Sequence, residues 1–334
     1  MRSDKYSDGG DVIELENNLG DNYFIIIATH DPDNVKKDII AHSIDHFLRK
    51  ENIKVIIIAS GEKNKLKKLT EILKTYRDYF STNLLSYRFC LNKGISHKWN
   101  LGIRLALNLG AEMFTLLTDD TFPTNAFRAT DITKYFIDNC GPTDLLSLPL
   151  NALQSANDHT RLFIYDSGMT FSKQLARNLR FDELLIHSFV DYKFSFDVAT
   201  KLGKIIIYPG SVIDQAKPMN KYNGMFYLPE WTLYLIFRNS IYWARKEPIR
   251  KYKFLILGLF YFLSLPKWLP KSFRARRSMN MVLRAIFLGT LDGLMGIVGI
   301  SDNLEKISNG RFMANTPNIY SDASISNKDG EISI

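Results

Sequence analysis

Two adjacent carboxylates stand where a buried strand should end, in Leu116-Leu117-Thr118-Asp119-Asp120-Thr121-Phe122-Pro123. Two charges at the mouth of an apolar run are costly unless a cation or a polar network compensates them. A hard divalent ion meets that need, because Mg2+ or Mn2+ takes one or two protein carboxylates and completes its shell with phosphate oxygens and water. Such an ion would neutralise a nucleotide diphosphate as it departs. The same residues fit a plain helix start equally, with Asp120 or Thr121 as N-cap and Pro123 in the first turn. Two other arrangements carry less. His42 and His46, four apart with Asp45 between them, would place two imidazoles on one metal, but zinc takes three or four ligands and no third is evident. Asp31-Pro32-Asp33-Asn34 begins like a calcium loop yet lacks the Gly at the sixth loop position and the distal Glu, so it reads as a helix cap.

The elements that must hold these residues follow from the apolar rhythm. Residues 23–28 are an unbroken apolar run that reads as a buried strand, and Ile40, Ile44, Phe47 and Leu48 then recur at helical spacing. Residues 55–58 are a second strand, followed by a basic helix with Leu66, Leu69, Leu73 and Tyr76 on one face. Residues 84–91 are a third, a helix carrying Leu101, Leu105 and Leu109 follows, and residues 113–117 are the fourth. Strands alternating with helices of this length specify an α/β fold with a mostly parallel, doubly wound sheet. In such a sheet ligands bind beyond the carboxyl ends of the strands. The positions that matter are therefore Thr29, His30 and Asp31 after the first strand, Ser60 and Gly61 after the second, Asn92 and Gly94 after the third, and Asp119 and Asp120 after the fourth.

The chain has 334 residues, 46% hydrophobic and 23% charged, a balance that closes a sizeable core and excludes a disordered or fibrous protein. Its net charge of +8 is unevenly placed. Residues 245–284 hold eleven basic side chains and one acid, Glu247, a net of +10 that leaves the rest slightly acidic. Within that window residues 254–266 are uncharged, shorter than the roughly 20 residues a spanning helix needs. Tyr252, Phe254, Phe260, Tyr261, Phe262 and Trp268 among Lys and Arg suit a helix lying on an anionic membrane surface. A buried core helix or a dimer interface would use a similar run. Further short apolar stretches, 285–291 and 293–300, flank Asp292. Nucleic acid fits less well, because strand-binding grooves set exposed aromatics along a polar track. Cys90 and Cys140 are too few for a disulfide framework and match no zinc or redox spacing, which suits a reducing, cytoplasmic compartment. The N-terminal stretch is polar and has no signal-peptide core.

The order of short motifs adds a resemblance. Asn92-Lys93-Gly94-Ile95, Asn100-Leu101-Gly102-Ile103, Gly110-Ala111 and the acidic turn together resemble family 2 glycosyltransferases, especially the rhamnosyltransferase-like and galactofuranosyltransferase-like branch. Asp166-Ser167-Gly168, Arg180-Phe181-Asp182-Glu183, Val190-Asp191, Gly203-Lys204-Ile205 and Arg238-Asn239 continue it, from about residue 23 to about 300. The resemblance implies a GT-A-type nucleotide-binding fold with a mostly parallel central sheet, followed by a basic amphipathic helical C-terminal region. It implies transfer of a sugar from a nucleotide-sugar donor with inversion, which needs one base to take the acceptor's proton opposite the leaving diphosphate. Asp191 matches that base. Asp120 matches the metal ligand, with Asp119 as neighbour or second ligand and Asp214 as a further oxygen ligand where the family has a late His. Thr29, His30, Asn92, Gly94 and Asn100 match the donor side, with Ser60 and Asp119 at the same edge. Ser167, Gly168, Asp182 and Glu183 match the acceptor side.

Plainer roles exist for the same residues. Asp182 and Glu183 suit a helix N-terminus, Asp191 suits a salt bridge to a nearby lysine, and Gly94, Gly102 and Gly168 suit turns. The chain also departs from the family pattern. Ile58-Ala59-Ser60-Gly61-Glu62 replaces an Asp-bearing turn that contacts the nucleobase, Thr118 replaces the first carboxylate of the acidic triplet, and Asp197 stands where an Arg is common. The expectation is a polar tail at 1–21, a GT-A domain at 22–235, a membrane-associating helical region at 236–302 and a polar tail at 303–334. The enzyme would act on a lipid-linked or cell-surface glycan as a peripheral protein at the cytoplasmic face of the cell membrane, with homo-oligomerisation open. A catalytically degenerate membrane-associated scaffold of the same fold is the alternative.

Overall fold

Unbroken apolar sequence drives Tyr23–His30 into the interior as strand β1, buried on both faces. The structure, a computed structural model, describes residues 22–150, 164, 167–216, 221–222, 225–226, 229–258 and 279–308. After β1 come α1 (Asn34–Ile44), which continues into a π-helical turn, β2 (Lys54–Ser60), α2 (Lys63–Leu73), α3 (Arg77–Ser81), β3 (Leu85–Phe89), α4 (Ile95–Asn108) and β4 (Met113–Thr118). Asp33 caps α1, its side chain accepting from Lys36 N, as its place before the helix suggested.

The second half is more broken. It runs β5 (Thr121–Pro123), α5 (Ala129–Asn139), β6 (Leu145–Ser147), β7 (Met169–Ser172), α6 (Lys173–Asn178), α7 (Val190–Asp197), β8 (Ile205–Ile207) and β9 (Ile213–Gln215). A small ribbon, β10 (Lys221–Tyr222) with β11 (Met225–Phe226), precedes α8 (Glu230–Lys246), α9 (Arg250–Gly258), α10 (Met279–Met295) and α11 (Asp302–Ser308).

The central sheet has seven strands in the order β3-β2-β1-β4-β7-β6-β8. Neighbours are parallel except β7, which runs against both β4 and β6. Alternation along the strands splits the interior into two layers. Phe24, Ile26, Ile56, Ile58, Phe114 and Leu116 face α4 and α7, while Ile25, Ile27, Val55, Ile57 and Leu117 face α1, α2 and α5.

Four expectations change. Asp120 and Thr121 do not start a helix. They lie in a turn that leads into β5, which pairs with β9 and so satisfies its backbone in a ladder. On α4 the expected Leu101 is buried, together with Trp99, Gly102, Ile103 and Ala106, but Leu105 is half-buried and Leu109 exposed, because Gly102 lets the helix press onto Ile26 and Ile58. The boundary expected at 236 falls inside α8, which is buried along most of its length, with Trp243 against Phe189 and Phe196. The polar tail expected from 303 opens instead as α11, whose Leu304 joins Tyr234, Leu235 and Ala285. Among the described residues no helix is long and apolar enough to cross a membrane. Residues 1–21 and 309–334, Asp166, and the aromatic and basic residues of 259–278, including Phe260, Tyr261, Phe262 and Trp268, lie outside the described residues.

Candidate active site

Strands β1, β2 and β4 end side by side, and their last residues form one polar edge. Thr29 Oγ1 donates to Asp119 Oδ2 at 2.6 Å, and the His30 N–H reaches the same oxygen at 3.2 Å. Lys36, one turn into α1, adds its ammonium at 2.9 Å and also donates to the His30 carbonyl. Asp119 therefore has its charge compensated and ties β1, α1 and β4 together. His30 in turn meets Ser60 Oγ at 3.1 Å through Nδ1 and the Asn92 amide at 3.4 Å through Nε2. Ser60, in the turn that replaces the Asp-bearing one, is thus a hydrogen-bonding partner of a histidine.

The chain leaves β1 through Asp31 in the left-handed region, φ +47°, a conformation that non-glycine residues adopt mainly where surroundings enforce it. Its amide donates to Ser60 O, and its carboxylate accepts from the Glu62 N–H at 2.8 Å and pairs with Lys65 at 3.2 Å. Burial raises the Asp31 pKa, but the Glu62 N–H, His30 and Lys65 together outweigh it and hold the acid below its usual range. Gly61 is required here, since a Cβ would lie 2.2 Å from Asp31 Oδ1.

Asp120 is held differently from Asp119. Oδ1 accepts from Thr118 Oγ1 at 2.6 Å and from Thr121, and Oδ2 accepts from the Gln215 amide at 2.8 Å. All three partners are neutral, so the carboxylate is oriented by hydrogen bonds from hydroxyls and an amide. Ser167 completes the group, bonding the Thr118 N–H at 3.0 Å and the hydroxyls of Thr118 and Thr121. Thr118, which replaces an acid, is the centre of this cluster. Gln215, next to Asp214 on β9, supplies this contact to Asp120. Neighbours along a strand face opposite ways, and Asp214 pairs in register with Phe122.

Behind this edge lies Lys98, in the first turn of α4 and only 2% exposed. Its ammonium donates to Asn92 Oδ1 at 3.5 Å. Burial drives its pKa down to about 8, with Cys90 and Asp119 pulling the other way. A buried cation that titrates near neutrality beside a carboxylate marks a candidate for binding anionic groups.

Asn100 and Glu183 were expected on the donor and acceptor sides, and the structure joins them. Asn100 donates to Phe181 O and Glu183 Oε1, both at 2.9 Å, and accepts from Phe181 N at 3.0 Å. Glu183 also meets His97 at 2.9 Å. This is a clasp between α4 and the segment before α7. Asp182 and Glu183 stand in a turn, not at a helix start, with Asp182 accepting from Leu184 N. Gly94 (φ +99°) lies against the same segment, where a Cβ would come 2.2 Å from Ile186 O. Gly168 (φ +86°) fits under Leu148 O and donates to Leu116 O, bringing Ser167 to β4.

Asp191 is in the first turn of α7, directly after Phe189 at φ +75°, another enforced left-handed residue. The nearby Lys193 pairs with Asp197 at 2.7 Å, so the position that departs from an Arg serves as that lysine's partner. Asn239 of α8 donates to Ser188 O, and Arg238, fully buried, donates to Gly299 O while Gly299 N bonds Leu184 O. The Arg238-Asn239 pair thereby holds the segment that presents Asp191. His42 stacks edge-on against Phe122, His46 against Phe47 and Phe127, and no group of three or more His, Cys, Asp or Glu suited to a metal occurs among the described residues.

A mostly parallel sheet with one reversed strand and a polar crevice at its carboxyl edge has counterparts among solved structures. It is similar to TarS residues 1–349 from S. aureus in complex with UDP-GlcNAc, at 11% identity and TM-score 0.54, over 87% of this chain and 89% of that one. The fold is GT-A-like. A second TarS structure gives 12% identity and TM-score 0.51 over the same shares, and the mannosyltransferase PcManGT from Pyrobaculum calidifontis, in complex with GDP-Man and Mn2+, gives 14% and 0.50 over 87% and 84%. No protein-family model and no curated protein matches the sequence.

Sequence reasoning missed Lys36, Lys98 and Gln215. Only Lys98 left a trace, since it stands four residues before Gly102 and so shares the face that presses on the sheet.

Proposed function

We propose that the chain is an inverting glycosyltransferase that moves a sugar from a nucleotide-sugar donor to a lipid-linked or cell-surface glycan. The observation that carries this reading is the convergence of Thr29, His30, Asp119 and Asp120 at one edge of a sheet whose fold is shared with proteins solved with UDP-GlcNAc and GDP-Man.

Asp120, whose carboxylate is oriented by two hydroxyls and an amide, is the residue that would hold a hard divalent ion. Asp119 is neutralised by Lys36 and serves the edge itself. Mg2+ or Mn2+, when bound, would supply positive charge to the departing diphosphate. His30, Ser60 and Asn92 would meet the nucleoside, and Lys98 would serve as a cation for the phosphates. Asp191 accepts the proton of the attacking acceptor hydroxyl while that oxygen bonds to the anomeric carbon and the bond from this carbon to the diphosphate breaks on the opposite face.

The test is transfer from a panel of UDP- and GDP-sugars with Mn2+ or Mg2+, comparing wild type with Asp191→Asn and Asp120→Asn. Each substitution should lower turnover by about a hundredfold or more. Unchanged turnover in both variants would remove these assignments. A wild type that binds no nucleoside diphosphate by calorimetry would favour a scaffold of the same fold.

A further inference from the structure

Helix α10 has two faces of opposite character. One packs on α8 through Val282, Ala285, Gly289, Asp292 and Gly293, so closely that a Cβ on Gly289 would lie 2.4 Å from Tyr234 O and one on Gly293 2.8 Å from Arg238 O. The other carries Leu283, Phe287, Leu291 and Leu294 in one helical row, with Phe287 65% and Leu294 58% exposed. Met295, at 63%, extends the row. A continuous row of large apolar side chains facing solvent marks an interaction surface.

Within residues 245–300 the exposed charges have one sign, while the nearest exposed acid, Asp302, opens α11. Only two acids occur in residues 245–300, Glu247 and Asp292, and both are buried. Asp292 is held by Tyr234, Ser301 and Asn303. Arg284 lies exposed on α10, one turn before Phe287, and Arg245 reaches Gly293 O and Leu294 O at the far end of the row. Lys246, Arg250 and Lys251 are exposed on the adjoining helices.

We propose that α10 lies in the plane of an anionic lipid bilayer, with Leu283, Phe287, Leu291 and Leu294 at the acyl boundary and Arg284 and Arg245 among the headgroup phosphates. A helix of 17 residues rises about 25 Å, too short to cross a core of about 30 Å, and its far face is already committed to α8. Self-association through the same row would bring the Arg245 and Arg284 of two copies together, which like charge opposes. This proposal does not rest on the glycosyltransferase reading.

The experiment is flotation of the full chain with vesicles of phosphatidylcholine containing about a third phosphatidylglycerol, and with phosphatidylcholine alone. Wild type should float with the anionic vesicles at low ionic strength and less with the neutral ones. The triple variant Phe287→Ser, Leu291→Ser, Leu294→Ser should partition on the order of a hundredfold less, with its Tm unchanged because these side chains already face solvent. Arg284→Glu should reduce partition on the order of tenfold. Equal flotation of wild type and triple variant overturns the proposal, as does a wild type that stays in solution. In that last case, a wild-type dimer that the triple variant loses would assign the row to a second copy, and a lower Tm of the triple variant would assign it to other segments of this chain.

Discussion

Replacing Lys98 with Met separates stability from ligand binding. The native ammonium titrates at about 8 and the unfolded one at 10.5, so below pH 8 the folded protein bears a cost of about 3 kcal/mol for keeping this group charged and buried. Between pH 8 and pH 10.5 the native state has released the proton and the unfolded state still holds it, so stability rises with pH over that window. Met keeps the length of the side chain without the charge. Lys98→Met should therefore stabilise the protein by about 2 kcal/mol at pH 7 after loss of the Asn92 hydrogen bond, and the advantage should vanish toward pH 10.5. Urea denaturation of both proteins across pH measures this directly. Nucleoside diphosphate binding should move the other way. Loss of the cation should weaken it by about tenfold or more, and wild-type affinity should fall as pH rises above 8, because a bound anion requires the protonated amine. A variant less stable than wild type at pH 7, or two parallel stability profiles, would refute the reasoning.

Asn100→Ala should cost about 1–3 kcal/mol, because it leaves the Phe181 N–H without its side-chain acceptor in a buried place. Glu183 loses a partner as well: burial raises its pKa, but Asn100, His97 and Arg104 hold it below the ordinary 4.5, so the wild-type advantage in denaturation should shrink as pH falls below about 4.5. Gly289→Val forces a side chain into Tyr234 O and should lower stability by about 1–3 kcal/mol or more, seen as a lower Tm.

The first half of the sheet was legible because β1, β2 and β4 are buried on both faces and leave continuous apolar runs. The second half was not. β6 and β8 have three residues each, too few to show a period, and no local signal announces that β7 runs backwards between β4 and β6. The crevice rule put Thr29, His30 and Asp119 at one edge, where they do hydrogen bond. It could not supply Gln215, which arrives from β9, or Lys36, whose reach depends on how α1 is set against β1. Asp120 and Thr121 misled because Asp, Thr and Pro favour helix starts locally, while pairing with β9 decides the outcome.

The close seam between α8 and α10 has a metrical consequence. Backbone approaches backbone at Gly289 and Gly293, and Asn239 of α8 donates to Ser188 O, three residues before Asp191. On the two proposals together, the base would stand at a fixed height above the lipid plane, set by a rigid seam rather than by a tether. Such a protein would act as a ruler. Acceptors whose reactive hydroxyl is raised from the bilayer on spacers of graded length should show one optimum, whereas a tethered domain would give a plateau.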